Sequence, residues 1–465
     1  MGRWCTARRR AGTRRARPRV PARMTLLGAV LATTAALPAA LPGPTAIAAD
    51  PAGSVAAAGA AGSVGAVGAA DGYAFADDAV PIAGASATAG AETLTAGSTY
   101  RSSLPRNGTR YYRLELDAAS DAYVSVTAVP RTDGDVTAVD GVRVSVRDAE
   151  GGSCSVHSAT FGAAHSPRPV TAWGTREIDP ASHRCQEPGT YYVGVERTRP
   201  QDSPPDDWDL ELGVASEPRP RRAGATEAPG SWDSASPEPP ADEPERRPGG
   251  NGFAHATLVG QGAWRDDIRP GETLYYKVPV DWGRQVYATA ELAGSAGASG
   301  YATAALRLAL HNPVRGEVDD AAKSYTGRAT TVGLAPLPPV AYANRYAGAA
   351  QTGALRFAGD YYVVVHLAAQ VADAFGRGPF GLTLRLRVGG ASETGPDYAG
   401  ESRPKGLFEV SAQDRITAPG GGATGTDAAS GDDVAMKAVA VGGIGTGSLL
   451  LLGLAVWTAA ARRGT

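Results

Sequence analysis

Two cysteines and a scatter of aspartates are the residues of this 465-residue chain whose types and spacing could do chemistry. Cys154 and Cys185 share one stretch of the chain, and the third cysteine, Cys5, lies in an arginine-rich leader. A thiol pair can bridge, hold a metal or cycle between redox states. The pair lacks Cys-x-x-Cys spacing, and His157 and His183, although near the two cysteines, do not stand at metal-site spacing. In an exported chain such a pair is most simply a disulfide. Closing a loop of about thirty residues stabilises by roughly 3–4 kcal/mol in the chain-entropy model. Asp133 with Asp135, Asp266 with Asp267, and Asp319 with Asp320 offer oxygens of the kind calcium takes. None falls in an ordered calcium loop, and turns use aspartate routinely.

Catalytic constellations are absent from the sequence. There is no His-Glu-x-x-His, no Gly-x-Ser-x-Gly, no phosphate-binding Gly-x-x-x-x-Gly-Lys and no dinucleotide glycine fingerprint set between a strand and a helix. The 6 histidines are scattered. The expectation is a chain with no cofactor and no catalytic residues. The formal charge of −2 hides an asymmetry: nine arginines lie in residues 1–23, and without them the charge is about −11. An acidic body of this kind does not gather phosphate backbones, so nucleic acid is not expected as a partner.

Those nine arginines precede an apolar run from Met24 to Leu41 and a small-x-small site at Ala46-Ile47-Ala48. Residues 1–48 therefore read as an export signal. At the other end, Ala438 to Ala461 is an uncharged run long enough to span roughly 30 Å of hydrocarbon, stopped by Arg462-Arg463. The expected protein is single-pass in the cell membrane, with its body outside and residues 462–465 in the cytoplasm. Gly443 and Gly447 form a Gly-x-x-x-Gly face in that span, an opening for a weak homodimer.

The elements between these ends repeat. Gly108-Thr109-Arg110-Tyr111-Tyr112-Arg113-Leu114 is matched by Glu272-Thr273-Leu274-Tyr275-Tyr276-Lys277-Val278, an offset of 164 positions from Tyr111 to Tyr275. Leu94 and Leu258, Leu116 and Val280, and Val142-Arg143-Val144 and Leu306-Arg307-Leu308 keep that offset. A second tyrosine pair, Tyr191-Tyr192, answers to Tyr361-Tyr362. Alternating residues around these pairs predict half-buried strands, including 110–116, 122–128, 191–196 and 208–214. Self-similarity at a fixed offset points to duplication.

The resulting expectation is an all-β protein: two tandem antiparallel β-sandwiches of jelly-roll kind, at 92–216 and 251–390, with two separate cores. Residues 49–91 are rich in Ala and Gly, and residues 391–437 in Gly, Ala, Ser and Thr. Neither buries enough apolar surface to offset ordering, so both are expected disordered, the second as a stalk. Residues 217–250 carry Pro237-Glu238-Pro239-Pro240 and read as an extended, semi-rigid spacer. Tyr325, Tyr342 and Tyr346 lie in a long irregular insert, Asp319–Thr352, where they would either form a stacking surface or cover a sheet edge.

The Gly-Thr-Arg-Tyr-Tyr-Arg-Leu, Val142–Asp148 and Gly189-Thr190-Tyr191-Tyr192-Val193 strands resemble the bacterial pre-peptidase C-terminal domain, and the second copy is similar at 271–278 and 359–365. That resemblance implies a β-sandwich with an accessory or binding role. It covers about half of the chain, and no ligand-bearing residue carries over from it. The expected partner is a cell-wall glycan, for which exposed aromatics would supply stacking faces, or an envelope protein. The alternatives are a structural spacer or accessory subunit, and an enzyme whose site is not visible in the sequence.

Overall fold

The computed structural model describes residues 72–417, apart from 133, 180, 181, 202, 296 and 298. The expected signal, membrane span, Gly443/Gly447 face and cytoplasmic tail lie outside the described residues, as do parts of 49–91 and 391–437. Among the described residues no helix is long and apolar enough to cross a membrane.

The first half holds β1 (Val80–Pro81), β2 (Thr99–Leu104), β3 (Arg110–Leu116), β4 (Ser120–Val129), β5 (Gly141–Asp148), β6 (Ser153–Thr160), β7 (Val170–Arg176), β8 (Gly189–Arg197) and β9 (Trp208–Pro218). The second half holds β10 (Glu245–Arg246), β11 (Thr257–Leu258), β12 (Gly262–Ile268), β13 (Thr273–Val280), β14 (Gln285–Leu292), β15 (Ala302–His311), β16 (Glu317–Tyr325), β17 (Thr330–Gly333), β18 (Gly359–Leu367) and β19 (Phe380–Gly389). They form four sheets: β1-β2-β9-β4-β7 and β3-β8-β5-β6, then β10-β12-β19-β14-β17 and β11-β13-β18-β15-β16. The first two enclose one apolar cluster and the last two another, in a β-sandwich-like arrangement. The repeat seen in the sequence is therefore a repeat of topology, with β2–β9 answering to β12–β19 in the same order.

The tyrosine pairs act as posts of this core. Tyr112 and Tyr276 are buried, and their hydroxyls donate to Ser102 Oγ at 2.8 Å and Asp266 Oδ2 at 2.9 Å. Tyr191 and Tyr361 each donate to a carbonyl four residues upstream, that of Glu187 at 2.6 Å and of Phe357 at 2.8 Å. Each ring fills the core and each hydroxyl is paired, as burial demands. The charged acceptor makes the second copy's bond the stronger. Tyr276→Phe should cost about 1.5–3 kcal/mol and Tyr112→Phe about 0.5–1.5 kcal/mol in urea unfolding. Equal costs would contradict the assignment of these partners.

Three stretches expected to lack structure are built into the sheets. Val80–Pro81 pairs in parallel with Tyr100–Arg101, and Glu245–Arg246 with Trp264–Arg265. Ala85 bridges Tyr111, and Gly250 bridges Tyr275. Each sandwich thus begins upstream of the expected boundaries at 92 and 251; the added strands Val80–Pro81 and Glu245–Arg246 pair in parallel, while the bridges at Ala85 and Gly250 are antiparallel. The physical reason is borrowed pairing. An Ala/Gly or Pro-rich stretch cannot make a core, yet it satisfies its backbone on the edge of another's sheet. Residues 233–240 of the spacer also lie along the second sandwich, where Gln285 and Arg385 donate to the carbonyls of Asp233 and Pro240. Downstream, Arg403 bridges Ser216 and Tyr398 bridges Pro220. Phe408 is buried there, stacked on Phe357 at 4.9 Å between ring centres.

The two cores are distinct apolar clusters, but the sandwiches themselves are joined. Tyr123, Trp173 and Ala215 of the first sandwich belong to the apolar cluster of the second. Residues 121–128 of β4 and all of β7 are buried on both faces. One face closes the first core, and the other lies against the second sandwich.

Candidate functional site

The junction is set by the register of β4 against β9. On their outer face Asp121 stands opposite Glu217, Tyr123 opposite Ala215, Ser125 opposite Gly213 and Thr127 opposite Glu211. Two carboxylates directly across a sheet repel and need a cation. The second sandwich brings one. Arg345 reaches Asp121 at 3.0 Å and Glu217 at 2.8 Å, with both carboxylates and the guanidinium buried. The hydroxyls of Tyr123 and Tyr398 each donate to Glu217 at 2.7 Å, and the Ile178 amide donates to Asp121 at 2.7 Å. The Arg345 side chain also lies 3.5 Å from the centre of the Tyr342 ring.

Two more arginines of the second sandwich reach carboxylates of the first. Arg315 pairs with the fully buried Glu211, which also accepts from the Tyr73 hydroxyl at 2.9 Å and the Ala76 amide at 2.8 Å. Arg356 pairs with Glu177. A Cβ at Gly213 would lie 2.9 Å from Ser125 Oγ, while the Arg315 guanidinium carbon, at 3.6 Å, packs over this position at ordinary contact distance. The pattern is complementary, with acids on one body and arginines on the other.

The Arg345 clasp holds one extra proton. Burial first, then the Glu217 charge, push the Asp121 carboxyl up to about 7, against the pull of Arg345. The folded value lies above the ordinary carboxylate value, so between about pH 4 and 7 the folded protein holds a proton that the unfolded chain has lost. Stability from this group is full below about pH 4 and is lost as pH rises through about 7. Asp121→Asn keeps the neutral form at every pH. Relative to wild type, the variant should therefore gain stability between about pH 4 and pH 7 and level off above, read from urea midpoints. A pH-independent difference between the two proteins would rule out the shift.

Between the two sandwiches, where Arg315 lies over the ring of Phe253, is a cavity of about 190 Å³. Its walls include Arg168, Arg307, His311, Glu317, Asp320 and His366, with Phe253 and Tyr275 adding aromatic surface. Arg307 bridges Glu317 at 2.9 Å and Asp320 at 2.5 Å. The Arg168 guanidinium donates to the carbonyls of Phe161 at 2.9 Å and Thr160 at 3.0 Å. His366 bonds Ser166 across the junction at 3.0 Å and Thr273 at 2.9 Å, and burial holds its ring neutral by lowering its pKa to about 3.

Cys154 and Cys185 form the expected disulfide, with Cα atoms 5.7 Å apart. The ring of His157 stacks on Trp173 and bonds the Trp173 carbonyl oxygen at 2.9 Å, while His183 is exposed. Among the described residues no three His, Cys, Asp or Glu side chains gather as a metal site. Of the calcium candidates, Asp135 is exposed, Asp266 accepts from Tyr276 and the Gly249 amide, Asp267 pairs with Arg246, and Asp320 pairs with Arg307; Asp133 lies outside the described residues.

The stacking surface does not form. Tyr325 is buried against Phe375 and Phe380, and Tyr342 is held by Arg345. Tyr301, 66% exposed, is the exposed large aromatic among the described residues. Sequence reasoning missed the clasp because its partners stand 224 and 128 positions apart, from Arg345 to Asp121 and to Glu217.

No family model matches the sequence, and no curated protein matches it. Several solved structures align with it at low similarity. Tripeptidyl peptidase 2 aligns at 8% identity and a TM-score of 0.20, over 64% of this chain and 24% of that one. The chain thus spans about a quarter of that protein's length. The tandem CBM51 modules of a family 98 glycoside hydrolase from Streptococcus pneumoniae align at 7% identity and a TM-score of 0.16, over 63% of this chain and 83% of that one. The CBM22 tandem of Xyn10C from Paenibacillus barcinonensis aligns at 10% identity and a TM-score of 0.17, over 64% and 93%. Likenesses at this level carry no argument about what the chain does.

Proposed function

We propose that the chain is a non-enzymatic, membrane-anchored extracellular protein. Its two tandem sandwiches, of the pre-peptidase C-terminal kind, act as one rigid module that binds an envelope ligand, with a cell-wall glycan as the first choice. The observation that carries this reading is the polar cavity at the junction of two clasped bodies. Ligand sites favour such junctions, where a few converging polar groups meet apolar walls. The disulfide supports an oxidising compartment. The histidine and carboxylates nearest the cavity already have partners: both His366 nitrogens are bonded, and Glu317 and Asp320 hold Arg307. That arrangement suits recognition better than proton transfer.

The test is co-sedimentation of the purified protein with cell wall, together with crosslinking on intact cells. Pelleting that soluble wall fragments reverse supports glycan binding. Crosslinks to one protein without wall pelleting would replace the glycan with a protein partner. Neither result would leave a rigid spacer.

A further inference from the structure

We propose that the junction cavity is the binding site, and that its ligand is a neutral polyhydroxylated ring, one sugar unit of a glycan. This rests on the glycan reading above and narrows it to a place and a chemistry. The charges around the cavity are two arginines, Arg168 and Arg307, and two acids, Glu317 and Asp320. They balance, and the two histidines, His311 and His366, are pushed toward neutrality by burial. A balanced wall has no net preference for an anion or a cation. It does offer donors and acceptors side by side, which vicinal hydroxyls need because each both donates and accepts. Planar guanidinium and carboxylate forks present two such groups at fixed spacing.

Phe253 and Tyr275 supply the apolar faces that the C–H side of a sugar ring covers. The volume, about 190 Å³, exceeds the roughly 150 Å³ of an engineered cavity that takes up benzene, so one six-membered ring fits. Both sandwiches contribute walls, Arg168 from the first and Arg307, Glu317 and His366 from the second. The clasp at Arg345 and Arg315 therefore keeps the site in one shape. Ser158, exposed on β6, stands among the lining residues on the first sandwich.

The experiment measures binding of N-acetylglucosamine, glucose and soluble muramidase fragments of cell wall to the full protein by saturation-transfer NMR and calorimetry. Wild type is compared with Ser158→Trp, which fills the opening from an exposed position, and with Glu317→Gln, which removes an acceptor charge. Thermal melts check that both variants fold. Binding of at least one free sugar, weakened tenfold or more by both variants, supports the proposal. Binding of fragments but of neither free sugar, with the same loss in both variants, places the ligand unit in the polymer and keeps the site. Wall or fragment binding unchanged in both variants overturns the cavity as the site while leaving glycan binding intact. Binding of no sugar, no fragment and no wall overturns both readings.

Discussion

Arg345→Ala should lower the stability of the protein by about 3–5 kcal/mol, the cost of leaving buried carboxylates without their cation. The size follows from the register. Asp121 and Glu217 face each other across β4 and β9, and Arg345 lies between them at 3.0 and 2.8 Å. Removing it strands the Glu217 charge, buried with only hydroxyl donors, and pushes the Asp121 carboxyl, already raised to about 7, further toward its neutral form. A large part of the loss is the penalty of the stranded charge. A double-mutant cycle separates that part. Glu217→Gln in the Arg345→Ala background should recover stability, although Glu217→Gln alone costs stability because it weakens a charge-assisted network. Losses that simply add would show that the two residues do not act on each other. Acid should partly rescue Arg345→Ala, since protonation removes the stranded charge.

Replacing both cysteines, Cys154→Ser with Cys185→Ser, should cost about 3–4 kcal/mol by the loop-closure model, for a sequence separation of 31. The bond ties β6, an edge strand of small and polar residues, to the segment before β8. β6 faces the second sandwich across a groove lined by His157, Ser158 and Arg356. Loss of the bond should therefore be felt beyond the first sandwich. Urea unfolding of the reduced-equivalent variant should show a lower midpoint and stay cooperative. A loss under 1 kcal/mol would mean that the loop is already held by its neighbours.

How much of this was legible in the chain depends on which face of a strand is asked about. The core-facing alternation was clear: Tyr112 and Leu114, or Val142, Val144 and Val146, mark β3 and β5 in the bare sequence, and the expected strand at 110–116 coincides with β3. β6 and β7 were not visible. β6 is Ser-Cys-Ser-Val-His-Ser-Ala-Thr, too polar to alternate, and β7 is buried on both faces, so no period of two survives. The same cause hid the junction. Asp121, Tyr123, Ser125 and Thr127 read as an ordinary solvent face, because a polar residue beneath a partner domain looks like one beneath water. Only the pairing register, which sets Asp121 beside Glu217, shows that a cation is required. The edge additions at Val80–Pro81 and Glu245–Arg246 were missed for another reason. Their pairing comes from backbone hydrogen bonds, which no side-chain pattern records. The disulfide, by contrast, followed from count and compartment alone.

Calorimetry of the full protein at pH 7 asks most directly whether the two sandwiches are one body. Wild type should unfold in a single transition, and Arg345→Ala should split it in two, with the first sandwich and the second melting apart. Two transitions in wild type, or one undisplaced transition in Arg345→Ala, would contradict the shared junction on which the cavity and its proposed ligand depend.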